Sequence, residues 1–151
     1  MMEDGVRIGA HIKSSGAPRL IFERAMGIGA EAIQMFISAP QQWKPPAWKD
    51  EDVAEFVAAH AQHADVPVFM HGVYLVNLAS DDQVLLNRSA GSLKQYLKWG
   101  ASLGVTGTIF HVGSHKGAGF EARVDQICKT MLEVLEYADN DSLLIMENNA
   151  G

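Results

Sequence analysis

Cysteine is almost missing from this chain. Cys128 is the one example in 151 residues, which excludes a disulfide framework and points to a reducing compartment, with the cytoplasm as the expected location. Long apolar runs are missing too. No stretch approaches the roughly 18 residues of a membrane span. Met1-Met2-Glu3-Asp4 opens on acids with no apolar segment behind it, so neither a signal peptide nor a membrane anchor is expected. There is no basic excess: the formal net charge of -6 argues against a protein that coats nucleic acid with its whole surface, while leaving room for a locally basic site. Domain linkers, low-complexity segments and close repeats are also wanting. What is present is a 48% hydrophobic, 20% charged chain of ordinary globular composition, and its length suits one core.

The patterning alternates short apolar runs with amphipathic stretches. Strands are expected at Val6–His11, Ala32–Phe36, Pro67–His71, Thr106–His111 and Ser142–Glu147. Pro18 suits the first turn of a helix that Gly27 and Gly29 can stop. Asp50 is the expected cap of a second helix, whose first turn is acidic. Ser80 to Gln83 has capping-box form before a long helix with its stripe at Leu86, Ala90, Leu93, Leu97 and Ala101. The last helix places Val124, Ile127, Cys128, Met131, Leu135 and Ala138 on one face, so Cys128 is expected as a small core residue. Four βα units and a fifth strand imply a parallel sheet with helical crossovers, hence an α/β fold. An open doubly wound sheet and a (β/α)8 TIM barrel compete, and the lack of G-x-G-x-x-G after the first strand disfavours a dinucleotide fold.

The strand ends carry the chemistry. Four of the five finish on His11, His71, His111 and Glu147. Strands of a parallel barrel point the same way, so these residues gather on the face where barrel enzymes keep their active sites. His71, His111 and Glu147 lie one βα unit apart and offer two imidazoles and a carboxylate to one point, a recognised catalytic zinc set. His60 and His63, near the end of the second helix, are expected to face solvent away from the site. His115, in the loop after the fourth strand, either contacts substrate or fixes the loop. Lys13, Lys44, Lys49 and Lys116 in the strand-end loops suit an anionic substrate. Tyr74-Leu75 suggests a wedge between bases, and Trp43 and Trp48 are expected to pack the long second loop onto the barrel.

The strings IGAHIKSSG, MFISAPQQW, MHGVYLVNLAS, FHVGSHKGAG and IMENNAG, in this order, resemble the N-terminal half of endonuclease IV, the zinc-dependent apurinic/apyrimidinic (AP) endonucleases also called deoxyribonuclease IV. The resemblance implies a TIM barrel with three Zn2+ ions. His71, His111 and Glu147 match its first ligands, and the glutamate bridges two metals. It implies double-stranded DNA with abasic sites as partner, nucleotide flipping, and hydrolysis of the phosphodiester 5′ to the lesion without a protein nucleophile. Tyr74 and Leu75 match DNA-penetrating positions, and Gln41 stands where many members have an arginine. His11 and His115 are further candidates for supporting the metal site or touching phosphate. Departures are Ala17 for glycine, Ala39 for asparagine, Val112 for proline and Asn149 for threonine.

About 35 residues per βα unit makes eight units about 280 residues, within the barrel range. The expectation is therefore that residues 1–151 form the N-terminal portion of one barrel, cut after the fifth strand. Such a piece holds the ligands of one zinc and is expected to be inactive. The complete enzyme is expected to be monomeric, while open sheet edges give the fragment a route to self-association. A metal-dependent sugar isomerase or epimerase and a non-catalytic half-barrel module are the alternatives.

Overall fold

The computed structural model describes residues 5–137 and 142–148. Ala138 and Asn149 lie outside them. The elements follow one another as β1 (Gly9–His11), α1 (Leu20–Gly27), β2 (Ala32–Met35), α2 (Asp50–Ala61), β3 (Val68–His71), α3 (Gln83–Leu103), β4 (Gly107–His111), α4 (Val124–Tyr137) and β5 (Leu143–Glu147). All neighbouring strands pair in parallel, in the order β1-β2-β3-β4-β5. A doubly wound sheet reverses its strand order at a switch point. A sequential order is that of a TIM-barrel arc. β1 and β5 are its edges among the described residues.

Register assigns the two faces of the sheet. Paired residues share a face, and side chains alternate along a strand. His11 pairs with Gln34, Gln34 with Phe69, Phe69 with Gly107 and Gly107 with Leu143. Two residues further along, His71 pairs with Ile109; two further again, His111 pairs with Glu147. One face therefore carries His11, Gln34, His71, His111 and Glu147. The other carries Ile33, Met35, Val68, Met70, Thr108 and Phe110, all buried, and on β5 the half-buried Leu144 and exposed Met146. The helices cover this second face: a Cβ added at Gly100 of α3 would stand 3.5 Å from Met70 Cε. Phe22, Phe56, Leu93, Leu97 and Leu103 complete the core from the helix side.

Local chemistry moves several boundaries. β1 begins at Gly9, where the backbones of β1 and β2 meet closely; a Cβ at Gly9 would stand 2.7 Å from the Ala32 carbonyl oxygen. Val6 and Ile8 before it are exposed. Asp50 is the first residue of α2, not its cap. Lys49 holds the extended cap position, and its N–H donates to Asp52 Oδ2 at 2.9 Å. For α3 the cap is Asp82, not Ser80: its carboxylate accepts from the N–H groups of Val84 and Leu85, while Ser80 Oγ accepts from the Asp82 N–H.

The helix stripes also shift. α3 buries Leu86, Ala90, Leu93 and Leu97 as expected, but Gly100 and Leu103 close the stripe and Ala101 is exposed. On α4 the buried residues are Ile127, Thr130 and Val134. Cys128 is exposed, contrary to the expectation of a core residue. α4 is turned so that its Ile127–Val134 line is the buried one, which leaves Cys128, Leu132 and Leu135 outward. His60 and His63 are not free in solvent either. Both are half-buried and stack on Phe22 with ring centroids 5.6 Å away. Trp43 and Trp48 pack against the core as expected.

Candidate metal centre

β3, β4 and β5 each deliver one side chain to a common point. His71 Nε2 lies 3.0 Å from Glu147 Oε2, and His111 Nε2 lies 3.9 Å from the same oxygen. One ligand atom from each residue falls within 4.8 Å of the others, and this is the His/Cys/Asp/Glu group of that kind among the described residues. Its environment is graded: His71 is 3% exposed, His111 28% and Glu147 48%.

The donor set fits a metal ion. Zinc bonds of 2.0–2.2 Å in a tetrahedron put ligand atoms about 3.3 Å apart, and 3.0 and 3.9 Å bracket that separation. Protonation points the same way. His71 Nδ1 sits 2.7 Å from the Gly72 carbonyl oxygen, an acceptor only, so Nδ1 carries the donated proton. Nε2 of a neutral His71 then turns a lone pair on a carboxylate lone pair at 3.0 Å. That pairing repels unless a proton or a cation lies between. An imidazole anchored through one nitrogen to a backbone carbonyl, with the other nitrogen free, is the usual arrangement of a metal-ligating histidine. His111 Nδ1 is buried with no hydrogen-bond partner among the described residues.

The other candidates flank this trio. His11 is not in it: its Nδ1 pairs with Gln34 Nε2 at 2.9 Å, and its ring lies 4.6 Å from Phe36, which in turn lies 5.2 Å from His71. Burial lowers the pKa of His11, and the charge of His71 acts in the same direction. His115 does fix its loop, because its Nδ1 accepts from the Gly117 and Gly119 N–H groups at 3.2 and 3.1 Å. Tyr74 is half exposed, and its ring lies 5.5 Å from His71 and 5.8 Å from His111, at the rim of the ligand cluster. Leu75 is half-buried and Gln41 exposed. The Tyr74 N–H donates to the Pro40 carbonyl oxygen at 2.8 Å, so the loops of Gln41 and Tyr74 are joined beside the trio. Lys13, Lys44, Lys49 and Lys116 are all exposed.

Asn77 and Gly113 also matter here, though no pattern along the chain singles them out. Asn77 fastens the Tyr74-Leu75 loop to the loop after β4: Nδ2 donates to the Ser114 carbonyl oxygen at 3.1 Å, and Oδ1 accepts the Ala79 N–H at 3.0 Å. The Leu78 N–H adds a bond to the Val112 carbonyl oxygen at 2.8 Å. Gly113 permits this approach. Its φ is 103°, and a Cβ there would stand 2.1 Å from Asn77 Oδ1. An asparagine in one strand-end loop and a glycine in the next were the signals available, but their meeting is tertiary. Arg123, just before α4, likewise gains its setting only in the folded chain.

Known proteins resemble this chain in both sequence and fold. The chain is 35% identical over 129 residues to a probable endonuclease 4 of Persephonella marina, covering 85% of this chain and 45% of the relative. A crystal structure of endonuclease IV from Thermus thermophilus superposes with a TM-score of 0.84 at 30% identity, covering 97% of this chain and 53% of that one. A D-tagatose 3-epimerase-like protein shares the fold at a TM-score of 0.67 and 13% identity, over 97% of this chain and 54% of that one. The chain thus spans about half the length of the relatives it matches. A family model described as xylose isomerase-like TIM barrel matches residues 22–151, and the chain belongs to that family.

Proposed function

We propose that this chain is the N-terminal portion of a single-domain, zinc-dependent AP endonuclease that hydrolyses the phosphodiester 5′ to abasic sites in double-stranded DNA. The observation that carries the reading is the convergence of His71, His111 and Glu147 in a chain whose similar relatives bear the endonuclease 4 name. Epimerase likeness stands at a far lower identity and speaks for the shared fold.

His71 and His111 would hold zinc through Nε2, and Glu147 through its carboxylate. Zinc supplies Lewis acidity toward water and the scissile phosphate when bound. The chain's own residues do the positioning. Gly72 holds the proton of His71 on Nδ1 and so leaves Nε2 as the donor atom. Tyr74, Leu75 and Gln41 form a joined rim that enters the duplex and fills the space of the flipped nucleotide. Gln41 brings amide hydrogen bonds there rather than a cation. Asn77 and Gly113 hold the rim against the loop of Ser114 and His115.

The test is a nicking assay on abasic duplex DNA with the polypeptide encoded by the full reading frame. Chelator-sensitive cleavage that falls at least about a hundredfold in His111→Ala is expected, since losing a ligand costs more than the 10–100-fold loss of a supporting partner. Cleavage unchanged by that substitution, or turnover of a free ketose with no cleavage, contradicts the reading.

A further inference from the structure

A cavity of about 400 Å³ opens beside the metal trio, between the loop after β4 and the end of β5. Val112 and Asn148 line it, and each directly follows a ligand in the chain. Ser114, His115, Arg123 and Asn148 are its polar lining side chains, and no carboxylate lines it among the described residues.

These groups are donors with capacity to spare. An Nδ1 that accepts two backbone N–H groups carries no proton, so the His115 ring N–H is at Nε2. Ser114 Oγ accepts the Lys116 N–H at 3.2 Å, and its own O–H is left to donate. Arg123 has its Nε buried without a hydrogen-bond partner among the described residues. Its one ionic neighbour among them, Asp81 Oδ2, is 3.9 Å from Nη2 and lies mostly in solvent, too far for a hydrogen bond. A guanidinium, an imidazole N–H and a hydroxyl around one concave space, with no acid in the wall, are complementary to an oxyanion.

We propose that this cavity is a phosphate subsite, occupied by a backbone phosphate of the bound DNA strand next to the one at the metal trio. The DNA assignment rests on the endonuclease reading; the oxyanion chemistry rests on the cavity alone.

The test is an NMR titration of the chain with inorganic phosphate in metal-free buffer, read at the Arg123 Nε–H and the His115 ring. Saturable shifts at both, with millimolar affinity, are expected. Arg123→Lys keeps the charge but loses the planar fork, and should weaken binding about tenfold, as loss of one charge-assisted hydrogen bond does. Ser114→Ala is the second variant and should also weaken it. The unchanged backbone spectrum of at least one variant separates this effect from misfolding. A short intact duplex should then move the same two signals and displace phosphate. No saturable shift with phosphate, or unchanged affinity in both variants, overturns the subsite whatever the nicking assay gives. Phosphate binding that the duplex does not displace overturns the DNA assignment, and leaves the metal trio and its own test untouched.

Discussion

The two faces of the sheet are built for different tasks. On the helix side, Ile33, Met35, Val68, Met70, Thr108 and Phe110 of the inner strands are all buried, while Leu144 is half-buried and Met146 exposed on the edge strand β5. On the other side, His11 and Glu147 are exposed, and Gln34, Phe69, Ile109, His111 and Ile145 are half-buried. Adjacent residues of one strand thus belong to different regimes. Phe110 is core, while Ile109 and His111 on either side of it face the site. Among the candidate ligands on this face, His71 is the buried one, at 3% exposure on a central strand, whereas Glu147 is on an edge strand. The fold rests on one face, and the candidate ligands stand on the other.

Substitutions can break that comparison. Phe110→Ala should produce the largest loss, about 3–5 kcal/mol of unfolding free energy, because a fully buried ring leaves a cavity. Its neighbour Ile109→Ala should cost less than half of that, and chemical denaturation of the two variants side by side measures the difference. Gly107→Ala lies on the ligand face but should still cost about 1–3 kcal/mol. A Cβ there would stand 2.8 Å from the Leu143 carbonyl oxygen, so it pushes β5 outward and should weaken metal binding as well. Gly9→Ala crowds β2 in the same way at the other edge, yet should leave metal affinity alone because β1 holds no member of the trio. Equal metal affinity in the two glycine variants would mean that β5 does not position a ligand.

The smallest effect belongs to the outward side of α4. Cys128→Ser should change stability by no more than about 0.5 kcal/mol, as surface substitutions do. The native thiol should react with a disulfide reagent without unfolding. A protected thiol would restore the core placement that the helical stripe suggested.

The strand-end residues were legible in the sequence because two simple rules act there. Parallel strands aim the same way, and residues two apart share a face, so His71, His111 and Glu147 could be brought together by spacing. Endonuclease IV-like strings supplied the rest of the family placement. The helices were harder. A stripe repeating every 3.6 residues is broad, and its buried line is set by the neighbouring helix: Ile127, Thr130 and Val134 won over Cys128 and Leu135. Caps slipped for a similar reason. Strings such as Ser80-Asp81-Asp82 offer three candidate acceptors, and backbone geometry selects Asp82. Asn77, Gly113 and Arg123 gain their meaning only where two loops or a loop and a helix meet, and pattern along the chain carries no trace of that meeting.

The proposed metal centre depends on His71, His111 and Glu147 holding one ion together. Zinc titration of the metal-free chain by competition with a chromophoric chelator tests it most directly. A tight site is expected, lost in His71→Ala, His111→Ala and Glu147→Gln alike and retained in a His60→Ala/His63→Ala control. Zinc binding that survives all three single substitutions, or disappears in the control, would contradict it.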